Sequence, residues 1–306
     1  MNREVVPKLN NRHKGIVAIV VSAFGFALMA ACVRLCDDYG EYVPCFEKGF
    51  FRNLVAFVIS AIVYFRALGR RRGAESAAVS PRTRFRFPLA LVLRCVLGTC
   101  GIFANFYALS HVPIADGQTL NKTAPFWTLL FAWMFIGEKV TLRQFSAVLI
   151  AFAGAALVVK PGFAGASAFP LAMGLLGGVC AGGAYAAVRA LGRSGMNPSL
   201  IVLSFSAFSC IVSVPLAALN HVSLTLVQVL ILIGAGAGAA IGQYGITLAY
   251  RFSAPREIAV FDYSSILFTA VFGYLLFGQV SDAYSVLGMA VIVAAAVLLN
   301  LGRREG

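Results

Sequence analysis

The chain has 306 residues, of which 60% are hydrophobic and only 12% charged, with a formal net charge of +13. A soluble domain of this length covers its water-facing surface with about 25% charged residues, so a water-soluble globule is excluded. With a mean hydropathy of +0.85, lipid must be the solvent for most of the chain.

Apolar runs of about 20 residues, enough to cross the hydrocarbon core as a helix, recur from end to end. They predict ten spans, at 15–36, 45–66, 88–109, 114–136, 142–160, 169–191, 198–219, 224–250, 256–277 and 283–301. The first follows a basic, polar start (Met1 to Lys14) and has no A-x-A cleavage site behind it. It therefore reads as a span and not as a removable signal. Glu47 and Lys48 stand at the mouth of the second span, and Arg52 about two turns inside it. Arg94 lies about two turns into the third span from the opposite end. Each of these arginines either snorkels to a phosphate head group or lines a binding site, and Arg52 is counted among the substrate-binding candidates.

The fourth span is the richest. From Asp116 to Thr123 it reads DGQTLNKT, polar around nearly its whole circumference. Such a surface cannot face lipid, where each ionised group costs several kcal/mol, so it must line a cavity or pack on polar partners. Pro125 cannot donate to the carbonyl of Asn121, which predicts a bend and a freed oxygen there. At about 1.5 Å per residue, Lys122 falls roughly 12 Å below the helix start, close to the midplane. Asp116, Thr119, Asn121 and Lys122 are therefore substrate-binding candidates. Trp127 joins them because it shares a helical face with Asp116 and Thr123. Tyr107, Trp133, Tyr185 and Tyr244 could also line a pocket, although such residues more often form core or interface belts.

In the sixth span Gly174, Gly178 and Gly182 are spaced by four, and Gly234, Gly238 and Gly242 repeat this in the eighth. Small residues at that spacing let backbones approach where lipid supplies no hydrophobic drive. They serve either static packing or sliding, and because they can pack within one chain they leave the oligomeric state open. The ninth span carries Glu257, Asp262, Tyr263, Ser264, Ser265 and Thr269, with Asp262, Ser265 and Thr269 on one face. Asp262, Tyr263 and Ser265 are substrate-binding candidates. Asp116, Glu257 and Asp262 are candidates for proton coupling, since burial disfavours an ionised carboxyl.

The stretch Ala108–Thr141 returns at Ala249–Asp282, 141 positions later. Asp116 falls on Glu257, Asn121 on Asp262, Lys122 on Tyr263, Phe131 on Phe272, and Ile136-Gly137-Glu138 on Phe277-Gly278-Gln279. Ala31–Leu35 similarly resembles Ala186–Ala190. Two five-helix halves, 1–162 and 163–306, follow. Five is odd, so the second half enters the membrane the other way up, as in carriers built from inverted repeats with a central site. Arg34 and Arg189 then stand at opposite faces, each complementing the negative end of a helix and snorkelling to water. Lys122 and Asp262 meet from opposite halves. They either grip complementary charges of a solute or form an ion pair that holds the halves together.

Basic residues divide unevenly between the two sets of loops. Nineteen, including the cluster Arg66–Arg86, fall on the side of the termini, and Arg34, Lys48 and Lys160 on the other. This places both termini in the cytoplasm and makes the basic loop a topology determinant, with no nucleic-acid partner. The seven cysteines and three histidines show no metal spacing. Buried Cys acts as a small hydrophobe, and a Cys36–Cys45 bridge across the first loop is the alternative.

The pieces FFRNLVAF, LRCVLG, FYALSHVPIADG, PFWTLLFAWMFIGEKVT and AFAGAALVVKPG, with the second copy ending YLLFGQVSDAYSVLGMAVIVAAAVLL, resemble an EamA-type member of the drug/metabolite transporter superfamily. The resemblance implies an all-α integral membrane fold of ten transmembrane helices in two inverted five-helix repeats, working by alternating access in the cytoplasmic membrane. In that family the positions occupied here by Arg52, Asp116–Lys122 and Gly137-Glu138 recur, and Glu138, at the inner membrane edge, is expected to be structural. The implied function is secondary transport of a small polar organic metabolite (amino acid, amine or nucleoside-like), coupled to protons or a counter-substrate. Alternatives are a multidrug or toxic-compound exporter of the same fold, or a lipid-modifying membrane enzyme. No His/Asp or Ser/His constellation supports the enzyme, and nothing resembles a nucleotide-binding cassette, so no cofactor is expected.

Overall fold

The computed structural model describes residues 8–71, 87–111, 120–159, 168–219, 222–278 and 283–301, and all regular structure among them is helical. In chain order these are α1 (Lys8–Cys36), a 3₁₀ turn (Asp37–Tyr39), α2 (Cys45–Arg71), α3 (Phe87–His111) and α4 (Ala124–Phe131), the last continued by a π-helical turn (Ala132–Ile136). Then come α5 (Leu142–Val159), α6 (Ala168–Arg193), α7 (Pro198–Leu219), α8 (Leu226–Phe252) and α9 (Pro255–Ile258). A second 3₁₀ turn (Ala259–Tyr263), α10 (Ser264–Phe277) and α11 (Ala283–Leu301) complete the chain.

Among the described residues seven helical stretches are long and apolar enough to cross a membrane. The fifth and tenth predicted spans are present as α5 (Leu142–Val159) and α11 (Ala283–Leu301), and the described part of the fourth ends in the apolar helix Ala124–Ile136. Phe65, Phe135, Ile211 and Leu275 stand exposed on the outside, as befits a multi-pass protein whose solvent is hydrocarbon. All seven cysteines are free, and Cys36 is buried beside Val43 and Leu232.

Two predicted spans are broken, for different local reasons. In the fourth, the chain turns at Lys122–Thr123 and α4 starts at Ala124. Pro125 thus falls in the first turn of a new helix, where its missing N–H is harmless, and not at a bend inside a continuous one. Pro125 has no N–H for the Asn121 carbonyl, and because Phe126 N bonds Thr123 O instead of Lys122 O, the carbonyl of Lys122 is released as well. In the ninth, the hydroxyls of Ser264 and Ser265 bond back to the carbonyls of Phe261 (2.7 Å) and Asp262 (2.9 Å). Those bonds compete with the helical ladder and accompany the 3₁₀ turn. Both spans end on a glycine in the left-handed region, Gly137 at φ 73° and Gly278 at φ 62°, the conformation that terminates helices most cheaply with glycine. These two glycines occupy matching positions of the duplicated stretch.

The most extensive helix interfaces are α1 with α8, α3 with α6, α5 with α11 and α2 with α7. Each joins an element before residue 162 to one after it, so the two sequence halves interleave. Glycines set the closeness of these contacts. A Cβ on Gly238 would stand 2.9 Å from the Gly25 carbonyl oxygen and the Met29 nitrogen of α1. On α6, a Cβ on Gly178 would stand 2.8 Å from Leu120 O, and one on Gly182 2.9 Å from Ala124 O. The first stripe seats α1 on α8; the second seats the broken fourth span on α6.

This packing makes a graded prediction. Gly238→Ala meets backbone that cannot swing aside and should destabilise by about 1–3 kcal/mol, the usual range for overpacking. Gly234→Ala meets nothing nearer than Cys32 Sγ at 3.6 Å and should leave stability unchanged. Thermal unfolding of the two variants in detergent checks the contrast.

Candidate functional site

A cavity of about 770 Å³ opens inside the bundle. Its walls come from α1, α2, α3, α6, α7, α8 and α10, together with the turn at Lys122. It runs from Lys122 and Asp262 to Arg34, Asp37 and Tyr42 at the α1–α2 loop, where Tyr42 is exposed.

At its deep end the two broken spans touch. Lys122 Nζ lies 3.9 Å from Asp262 Oδ2, both side chains largely buried, and it donates a hydrogen bond to Ser265 Oγ. Tyr263 Oη donates to the released carbonyl of Lys122 at 2.9 Å. Lys122 and Tyr263 are matching positions of the duplicated stretch, so equivalent residues meet here. The ammonium has a carboxylate nearby at the outer limit of an ion pair and a closer neutral partner, and all of these except Tyr263 line the cavity.

Two further cations project into the same space. Arg52 is 5% exposed and Arg94 1%, and both line the cavity. Neither snorkels to the membrane surface. Arg52 Nε donates to Met29 Sδ at 3.1 Å. Arg94 Nη2 donates to Gln243 Oε1 at 2.7 Å, and its guanidinium stacks 3.8 Å over the ring of Phe205. Nearer the mouth, Lys48 pairs with Asp37 at 2.7 Å.

The structure places the predicted residues unequally. Arg52, Asn121, Lys122, Asp262 and Ser265 stand together on the wall, with Thr269 beside them. Trp127 does not: its Cβ packs on Gly182 and its ring stacks on Phe131 at 6.2 Å. Tyr263 is fully buried in the core formed with α5 and α11, behind the wall. Glu257 sits in the first turn of α9, off the cavity, where a carboxylate complements the positive helix end. Asp116 and Thr119 lie outside the described residues. Of the six aromatic residues singled out, Tyr185 reaches the wall. Sequence reasoning did not single out Asn105, Phe205 or Gln243. Polar groups at helix depth mark the first and last, but Phe205 carries no signal.

The opposite end is tied shut across the halves. Arg189 Nε donates to Glu138 Oε1 at 2.7 Å, and its Nη1 to the Tyr250 carbonyl at 3.0 Å. Arg193 Nη1 stands 3.9 Å from the same carboxylate, and Arg256 Nη1 donates to the Lys139 carbonyl. Arg189 is therefore not a snorkelling end-cap. It lies one turn before the end of α6, which finishes at Arg193. Its counterpart Arg34 has no ion pair among the described residues and lies 5.1 Å over the ring of Phe277.

Comparison with known proteins gives concordant results. The model of the EamA-like transporter family matches residues 13–160. The chain is 31% identical to the pseudopaline exporter CntI of Pseudomonas aeruginosa, over 94% of this chain and 95% of that protein. It is 28% identical to a riboflavin transporter of Rhizobium johnstonii, over 72% and 74% of the two chains. A solved crystal structure superposes with a TM-score of 0.76 at 16% identity, covering 98% of this chain and 100% of the other. That last likeness speaks for the fold.

The closed end yields a prediction. Glu138 is 8% exposed, and removing one partner of a buried ion pair typically costs about 3–5 kcal/mol because a charge is orphaned. Glu138→Gln and Arg189→Gln should each lower the unfolding midpoint in detergent more than the double variant does, a non-additivity read from a double-mutant cycle.

Proposed function

The chain belongs to the EamA-like transporter family, and on that premise we propose that it is a secondary transporter working by alternating access. It moves a small polar organic metabolite, an amino acid or an amine- or nucleoside-like solute, across the cytoplasmic membrane. The observation that carries this reading is the cavity itself. Lys122 and Asp262, from opposite halves of the chain, stand at its floor where two helices break. Groups of this kind at bilayer depth mark solute pathways, and broken helices at the midplane expose the backbone groups that hold solutes and ions.

Ten helices in two inverted five-helix repeats, 1–162 and 163–306, are the architecture that fits. The cross-half pairing of α1 with α8 and α3 with α6 supports it, as do the matched left-handed glycines. The excess of Lys and Arg in one set of loops supports cytoplasmic termini. The Glu138–Arg189 tie is then the inner seal, and the cavity opens outward. Asp262 is the described carboxylate best placed to couple transport to a proton or to hand over to a counter-substrate. The names of the relatives, a pseudopaline exporter and a riboflavin transporter, support a metabolite as cargo.

Reconstituted counterflow tests the proposal. Solutes that stabilise the purified protein are trapped inside proteoliposomes, and uptake of labelled solute is followed. Saturable counterflow is expected, and Lys122→Ala or Asp262→Asn should each reduce it about 10- to 100-fold, the worth of a hydrogen bond to a charged group. Full transport by the doubly neutralised variant would mean that the pair is only structural. Unsaturable flux would mean a pore.

A further inference from the structure

Among the described residues, the cavity carries more positive charge than negative. Its walls carry Arg34, Lys48, Arg52, Arg94 and Lys122 against Asp37 and Asp262. Asp37 is taken by Lys48 at 2.7 Å and Asp262 stands beside Lys122. Arg52 and Arg94, the two most deeply buried of the set, have no carboxylate partner among the described residues.

Their hydrogen bonds are incomplete as well. Arg52 Nη1 and Arg94 Nε are buried and find no acceptor among the described residues. The acceptor that Arg52 does have is a thioether sulfur, a weak one. Arg94 is held by a neutral amide and an aromatic face. A guanidinium stays charged in a protein, and burying it without a counter-ion costs several kcal/mol. A fold that needed these arginines only as struts would be better served by an aspartate beside them. Instead the described wall supplies neutral partners that orient the two guanidinium groups without a counter-charge.

We propose that the transported solute is an organic anion with at least two acidic groups, one bound by the Arg52–Arg94 pair and another by Lys122. A planar guanidinium takes a carboxylate or phosphate in a two-point grip that a lysine cannot reproduce. Two acid-binding positions in one cavity suit a bifunctional solute, and a cavity of about 770 Å³ is of the size that holds one. Asp262 then favours solutes that also carry an amine. This assignment rests on the transport reading above and names the cargo of that same cavity.

The test is a thermal-shift titration of the purified full-length protein with citrate, glutamate and glycerol phosphate. Alanine, putrescine and sodium chloride at matched ionic strength are the comparison. Saturable stabilisation by the di- and tri-acids is expected, and a response to glycerol phosphate alone, which carries one acidic group, would overturn the two-acid grip. Arg52→Gln and Arg94→Gln should each weaken the effective solute about 10- to 100-fold. Where a glutamine variant does not survive purification, the lysine variant keeps the charge without the fork and should still weaken binding about tenfold. Stabilisation by alanine or putrescine alone, by no compound at all, or with undiminished affinity in the arginine variants would overturn the proposal. Counterflow of a non-acidic solute would retain the transporter and discard the anion. Arginine-dependent binding without counterflow would do the reverse.

Discussion

An ionised side chain at bilayer depth persists only where protein or water surrounds it, and this constraint organises the molecule. Arg52, Arg94, Lys122 and Asp262 all face inward onto one space, so neighbouring helices must enclose that space on every side. No single half supplies enough wall. The principal helix interfaces all cross between the halves, and the charged groups are reached from both.

Enclosure in lipid has to be achieved without a hydrophobic drive between helices. Here it comes from small residues, with glycines on α8 and α6 letting α1 and the fourth span approach to backbone contact. The same closeness holds the breaks in place. The turn at Lys122 rests on Gly178, while the Tyr263 hydroxyl takes up the carbonyl that the turn releases. Position of the ammonium, shape of the break and packing of α6 are therefore one structural problem.

Much of this was legible in the chain. Helix positions follow from apolar runs, and Lys122 and Asp262 follow from charges placed near the middle of such runs. Legibility ended at the choice of neighbour for each face. Trp127 does share a face with Thr123, as the spacing predicts, but that face packs on α6, Thr123 against Gly178 and Trp127 against Gly182, and not on the cavity. Arg94 misled for another reason. Its distance from the helix end suits snorkelling, but its direction is set by Gln243, 149 residues away, and no local pattern encodes that. Tyr263 was misplaced because its ring packs in the core while only its hydroxyl reaches Lys122.

The matched ends of the duplicated stretch differ by one carboxyl group. Where Glu138 gives Arg189 an anion at 2.7 Å, the duplicated stretch has Gln279, and Arg34 instead rests on an aromatic face. For a carrier of this kind, unlocking one door means separating opposite charges, while unlocking the other means sliding a cation off a ring. In the alternating-access cycle proposed above, the two openings therefore part different partners, two opposite charges at one end and a cation and a ring at the other, and need not cost the same.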